Sequence, residues 1–163
     1  MREKINLKQK SFLVYGLGIT GISVIKYLKK NKVKNLFVWD DFKKNRKLSK
    51  KNKIKKFNKI IENVDYIVIS PGIDIKKSKN NNFFKKNKKK VITDLDIFYI
   101  FYNKNKNITI TGTNGKSTTA KLLFEILKEH KFDVRLTGNI GNPILDERKI
   151  SKKTIFIIEA SSY

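Results

Sequence analysis

The chain has 163 residues, 39% of them hydrophobic, no cysteine and a net charge of +24. That is enough for one domain or one and a half small ones with a packed core, and it argues against wholesale disorder. Disulfides and thiolate metal sites are excluded. No apolar run reaches the ~20 residues needed to cross a bilayer. The basic stretch Met1–Lys10 is followed only by Phe12–Tyr15 before glycines begin, too short for a signal-peptide core, so a cytoplasmic placement is expected. Four of the 38 basic residues are arginine, Arg2, Arg46, Arg135 and Arg148; the others are lysine. Lysine comes together with abundant asparagine, isoleucine and phenylalanine, the signature of an A/T-rich genome, and the lysines lie in smears such as 50–59 and 85–90. Nucleic-acid interfaces favour the planar arginine fork, so the charge predicts no specific nucleic-acid partner.

In chain order, short apolar runs predict strands at 11–15, 35–39, 65–69, 90–92, 107–111, 133–137 and 154–159. Several are nearly unbroken, as strands covered on both faces are. Between them, Ile22, Ile25 and Leu28, then Ile54, Phe57 and Ile61, then Leu122, Leu123, Ile126, Leu127 and His130 recur at helical spacing. Asp94–Tyr102 reads as a short helix with Leu95, Phe98, Tyr99 and Tyr102 on one face and Asp94 and Asp96 at its positive end. Alternating strands and helices predict an α/β fold with parallel sheets. A Rossmann-like unit over 1–92 and the beginning of a nucleotide-binding unit over 93–163 are expected. His130 and Trp39 read as helix capping or core, not chemistry.

Two glycine loops each follow a strand and open a helix. Gly112-Thr113-Asn114-Gly115-Lys116-Ser117, followed by Thr118, is a variant phosphate loop with Ile110 where the strict pattern has a further glycine. Its backbone N–H groups and helix N-terminus suit phosphate, Lys116 reaches β/γ oxygens, and Ser117 suits Mg2+. Gly16, Gly18 and Gly21 make a second, weaker pattern, with Asp40 closing the next strand about twenty residues on, where a carboxylate accepts a ribose hydroxyl. This loop alone fits NAD, and hence an oxidoreductase, as well as any nucleoside diphosphate; the charge alone would fit a noncatalytic nucleotide or nucleic-acid binder. Two phosphate loops in tandem suggest ATP-driven chemistry on a nucleotide-linked substrate.

The order of motifs resembles the Mur ligase family. Gly16-Leu-Gly-Ile-Thr-Gly-Ile-Ser23 is similar to its uridine-diphosphate loop, and Ser70-Pro-Gly-Ile73 to the close of a family strand. Asp94-Leu-Asp-Ile-Phe98 resembles the opening of the family's central domain, and Gly112–Ser117 its ATP loop. Gly138-Asn-Ile-Gly141 with Pro143, and Glu159-Ala-Ser-Ser-Tyr163, complete the series. Together they resemble the branch that adds D-glutamate to UDP-N-acetylmuramoyl-L-alanine. Asp96 stands where glutamate is more usual and Thr93 where glycine is common; Asp41 and Phe42 replace a small hydroxyl residue and a basic one.

The resemblance implies an ATP- and Mg2+-dependent ligase of peptidoglycan-precursor synthesis, monomeric at full length and with no membrane partner. ATP would phosphorylate the L-alanine carboxylate, and the D-glutamate amine would displace phosphate from the acyl phosphate. By resemblance, Lys116 and Glu159 are catalytic, Ser117 and Glu159 hold the metal, and Gly18, Ile19, Thr20, Asp40, Gly72 and Asn139 contact the UDP-sugar substrate. It also implies a remaining part of the central domain and a C-terminal domain absent from these residues, so that this stretch alone is expected not to ligate.

Overall fold

The computed structural model describes residues 6–42 and 63–160. The expected helix around Ile54, Phe57 and Ile61 lies outside them. The chain divides into two compact units, Met1–Ile97 and Phe98–Tyr163.

The first unit holds four parallel strands, β1 (Ser11–Tyr15), β2 (Asn35–Trp39), β3 (Tyr66–Ile69) and β4 (Val91–Ile92), in the order β2-β1-β3-β4. The nearly unbroken apolar runs of β1 and β3 take the two central places and are buried almost throughout, whereas β2 alternates. Helix α1 (Ile19–Lys30) joins β1 to β2, and α2 (Asn81–Lys86) precedes β4. By strand alternation, Leu13, Tyr15, Ile67 and Ile69 share one face, where Phe84 of α2 covers them. The opposite residues Phe12, Val14 and Val68 are equally buried. Helix α3 (Asp94–Tyr102) follows β4, and the division between the units falls inside it.

The second unit has three parallel strands, β5 (Lys106–Ile110), β6 (Val134–Gly138) and β7 (Ile155–Glu159), in the order β5-β7-β6. Every residue of β7, the middle strand, is buried. Helix α4 (Lys116–Glu129) packs Ala120, Leu123, Phe124 and Leu127 on the strands, and Phe98, Tyr102 and Phe156 form an aromatic group with Phe98 edge-on to Phe156 at 4.7 Å.

Each strand lies within one residue of its expected ends, but the helix faces need correction. On α1 the buried residues are Gly21, Ser23, Val24 and Leu28, and Ile22 is exposed. On α4, Leu122 and Ile126 are 61% and 44% exposed. On α3, Asp94, Ile97 and Phe98 are buried while Tyr99 is exposed. In all three the buried ridge starts one or two residues from where the apolar count centred it. A step of one residue turns a helix by about 100°, enough to carry a side chain off a narrow sheet. The lysine run at 85–90 forms the end of α2 and a 3-10 turn, with Phe83 and Phe84 supplying the apolar anchor.

An aspartate ties strand starts together in each unit. Asp65, just before β3, accepts hydrogen bonds from the Ser11 backbone N–H (2.8 Å) and hydroxyl (2.7 Å) at the start of β1. These bonds hold its carboxyl below the usual range. Asp133, before β6, accepts from the Thr154 hydroxyl and from Arg135, and its carboxyl is likewise lowered, chiefly by Thr154. Arg135 also pairs with the buried Glu147 at 3.2 Å. Both clamps fix the N-terminal ends of the strands and leave the C-terminal ends for the loops.

Candidate functional site: two phosphate-type loops at the strand ends

In an open parallel sheet, ligands bind beyond the C-terminal ends of strands where the order reverses. In the first unit that point lies between β1 and β3. The turn Gly16–Gly18 leaves β1 and the segment Ser70–Pro71–Gly72 leaves β3. The two are laced together: Ser70 N–H donates to the Tyr15 carbonyl (3.1 Å), and Ser70 Oγ donates to the Gly16 carbonyl (3.0 Å). A Cβ on Gly21 would run into the Gly16 carbonyl, so this glycine is what lets α1 start directly against the turn. Gly18, the helix N-cap, faces open space, as does Gly72. Ile19 is 78% exposed and Thr20 half-buried at the helix start. Gly18, Ile19, Thr20 and Gly72 therefore lie on the two loops that flank the crevice expected at this edge, where α1 offers N–H groups that have no intrahelical partner.

Asp40 lies at the end of β2 and is 3% exposed. Its Oδ2 accepts from Leu17 N–H (2.7 Å) and its Oδ1 from Phe42 N–H (2.8 Å), so it braces the glycine turn. Sequence reasoning missed the cluster beside it. Asp41 accepts from Tyr15 Oη (2.7 Å), Trp39 Nε1 (3.2 Å) and Ser78 Oγ (3.3 Å), and Asn80 Nδ2 reaches Tyr15 Oη at 2.9 Å. Burial is the main cause that pushes the Tyr15 phenol up to about 12, with the Asp41 carboxylate adding to it.

At the head of α3, two departures from the family pattern explain each other. Thr93 Oγ1 accepts from Asp96 N–H (3.3 Å), and Asp96 Oδ2 accepts from Thr93 N–H (2.8 Å). This is a reciprocal capping box, which glycine at 93 could not form. Asp94 beside it is buried, and desolvation raises its carboxyl.

In the second unit three segments converge. Ile110, Glu159 and Gly138 are register partners at the strand ends, so the Gly112–Ser117 loop, Glu159 and the Gly138–Gly141 loop share one edge. Gly115 caps α4 at φ +76°, a backbone state that a side chain would strain. The first intrahelical bond runs from Thr119 N–H to Gly115 O. The N–H groups of Lys116, Ser117 and Thr118 precede it and are directed out of the helix end. Lys116 Nζ folds back onto the carbonyls of Gly112 (2.7 Å) and Thr113 (3.3 Å). Ser117 Oγ donates to Glu159 Oε2 at 2.7 Å, and Glu159 is 4% exposed. Asn139 N–H donates to the Glu159 carbonyl (3.0 Å), which puts Asn139 at the same edge. Thr113 and Asn114 form the exposed tip. His130 caps the far end of α4, its Nδ1 2.9 Å from the Ile126 carbonyl, and is remote from this edge.

No group of three or more acidic, histidine or cysteine side chains that could hold a metal occurs among the described residues. A hydroxyl beside one buried carboxylate is instead the partial set that suits Mg2+, which keeps water and substrate phosphate as its other ligands.

Residues 10–93 match the family model described as Mur ligase MurD-like, N-terminal domain. The chain belongs to the MurD-like Mur ligase family. Curated relatives extend the match beyond that domain. A protein named UDP-N-acetylmuramoylalanine--D-glutamate ligase from Caldicellulosiruptor bescii is 34% identical over 98% of this chain and 37% of its own length. Proteins of the same name from Clostridioides difficile and Wolbachia sp. subsp. Brugia malayi are 34% and 37% identical over 98% and 96% of the chain. The chain spans about a third of the length of these Mur ligase relatives, 37% of the first two and 32% of the third. No helix among the described residues is long and apolar enough to cross a membrane.

Proposed function

We propose that these residues form the substrate- and nucleotide-binding N-terminal part of an ATP-dependent ligase that joins D-glutamate to UDP-N-acetylmuramoyl-L-alanine. Residues 1–92 are the domain for the UDP-linked substrate, and 93–163 open the ATP-binding domain. The observation that carries the reading is the pairing of Ser117 with buried Glu159 beneath a glycine–lysine loop, in a chain whose other unit carries a second phosphate-type loop. The names of the relatives supply the substrate.

In this reading the N–H groups at the head of α1 hold the diphosphate beside Gly18, Ile19 and Thr20, with Asp40 and Gly72 completing the contacts of the first unit. Lys116 leaves its two loop carbonyls and turns to nucleotide oxygens. Ser117 and Glu159 hold Mg2+, and the loop N–H groups of Gly112–Thr118 orient the triphosphate. Bound Mg-ATP supplies the phosphoryl group that activates the substrate carboxylate. The protein acts in the cytoplasm as a monomer at full length, without a nucleic-acid or membrane partner.

Titration calorimetry of the 163-residue chain tests this. UDP and Mg-ATP should bind independently. Lys116→Ala should abolish the ATP heat and leave the UDP heat. An NADH heat in place of the UDP heat would refute the reading. D-glutamate-dependent phosphate release is expected of a protein of the relatives' length, and turnover by this chain alone would contradict it.

A further inference from the structure

The segment that leaves β3 and carries Gly72 is fastened at both ends. Its start is held by Ser70, through the Tyr15 and Gly16 carbonyls. Its far end, Ser78–Asn80, is held by the Asp41 cluster. Ser78 Oγ bonds Asp41 Oδ2 and lies 3.0 Å from Tyr15 Oη; it also accepts Asn80 N–H at 3.1 Å. Asn80 Nδ2 reaches both Tyr15 Oη and, at 3.5 Å, Asp41 Oδ1. Between the anchors, Asp74 organises a turn by accepting Lys76 N–H at 2.9 Å, and Ile73 and Ile75 pack on the core.

Asp41 lies one residue beyond Asp40, next to the crevice. An open carboxylate there would repel a diphosphate. The cluster turns that charge inward against donors from β1, β2 and the β3 loop, so one group both offsets part of the repulsion and ties down the segment that carries Gly72. We propose that Asp41, held by Tyr15, Trp39, Ser78 and Asn80, is a positioning residue for the UDP-linked substrate, setting the Ser70–Asn80 wall before the ligand arrives. The inference rests on the reading of the first unit as a UDP site.

The test uses the 163-residue chain and UDP as probe, with three readouts. Asp41→Ala should weaken UDP binding roughly tenfold, the loss expected of a charged hydrogen-bonding anchor, and leave Mg-ATP binding unchanged. Asp41→Asn keeps the shape and most acceptor capacity, and should restore binding to within about threefold of wild type. The emission of Trp39, the only tryptophan, should shift in Asp41→Ala because its indole N–H loses its acceptor. Tryptic cleavage after the exposed Lys76, Lys77 and Lys79, followed by mass spectrometry, should be slowed by UDP in wild type and accelerated in Asp41→Ala.

If Asp41→Ala does not fold, Ser78→Ala removes one donor and leaves Tyr15 and Trp39 on the carboxylate; it should show the faster cleavage and about threefold weaker UDP binding. Wild-type UDP affinity and an unchanged 76–79 cleavage rate in the folded variant would overturn the positioning role alone. A wild-type chain that does not bind UDP would overturn the reading of the unit, and this role with it.

Discussion

Tyr15 makes the alkaline stability of the first unit a measurable consequence of its packing. The ring is fully buried, edge-on to Phe84 at 4.9 Å, and its hydroxyl is enclosed by Asp41, Ser78 and Asn80. The phenol titrates near 10 in an unfolded chain and is pushed up to about 12 in the folded one. Below pH ~10 both states keep the proton and stability is unaffected. As pH rises from about 10 to 12 the unfolded chain releases the proton while the folded chain retains it, so stability falls with pH in that window. Two pKa units correspond to at most about 3 kcal/mol. The quantity to measure is a difference, which cancels whatever else titrates in both proteins. Urea unfolding of wild type and Tyr15→Phe is compared at pH 8, 10 and 12. Tyr15→Phe should be less stable at pH 8 by about 1–2 kcal/mol, having lost the hydroxyl's bonds, and should close that gap by pH 12. In parallel, tyrosinate absorbance should show a late-titrating component that Tyr15→Phe lacks. A stability gap that is the same at pH 8 and pH 12 would refute the argument.

Gly21→Ala and Gly18→Ala should separate packing from binding. The first drives a methyl into the Gly16 carbonyl and should cost about 1–3 kcal/mol of stability. The second has open space and an extended backbone, and should stay within about 0.5 kcal/mol of wild type while losing UDP, read by thermal melts and calorimetry. Glu159→Gln should keep the hydrogen bond from Ser117 yet weaken Mg-ATP at least tenfold more than metal-free ATP, measured by titration with and without Mg2+. Asp133→Ala removes the acceptor of Thr154 and the partner of Arg135, and should cost about 1–3 kcal/mol at pH 7. Because the Asp133 carboxyl is lowered in the folded state, that advantage should be lost as pH falls below about 4, and the wild-type and variant urea curves should converge there.

The strands and the two glycine loops were legible because each is a local pattern. A run such as Phe12–Tyr15 ending in Gly-x-Gly has few alternatives to a strand and a turn, and Gly-Lys-Ser after Ile108–Ile110 has fewer still. Helix faces were less legible: Leu122 and Ile126 are as apolar as Leu123 and Leu127, and only the position of Ala120 on the sheet decides which pair is buried. Strand order was not written in any local pattern, since β7 enters between β5 and β6 only through long-range pairing. The Asp41 cluster is the clearest case of information that the sequence carries without displaying. Its members come from 15, 39, 41, 78 and 80, none at a spacing that suggests a partner, and each taken singly reads as something ordinary: a strand tyrosine, a core tryptophan, a loop aspartate. What could have flagged them is chemical incongruity. A tyrosine closing the apolar run Phe12–Val14 of a central strand needs a partner for its hydroxyl, and a second aspartate beside the one that braces the glycine turn needs donors if it is not to oppose an anionic ligand. Each group solves the other's problem, and the shared solution pins the very loop that carries Gly72. The departure at Asp41 from the family's small hydroxyl residue is therefore not an isolated change but one end of a contact that begins at Tyr15.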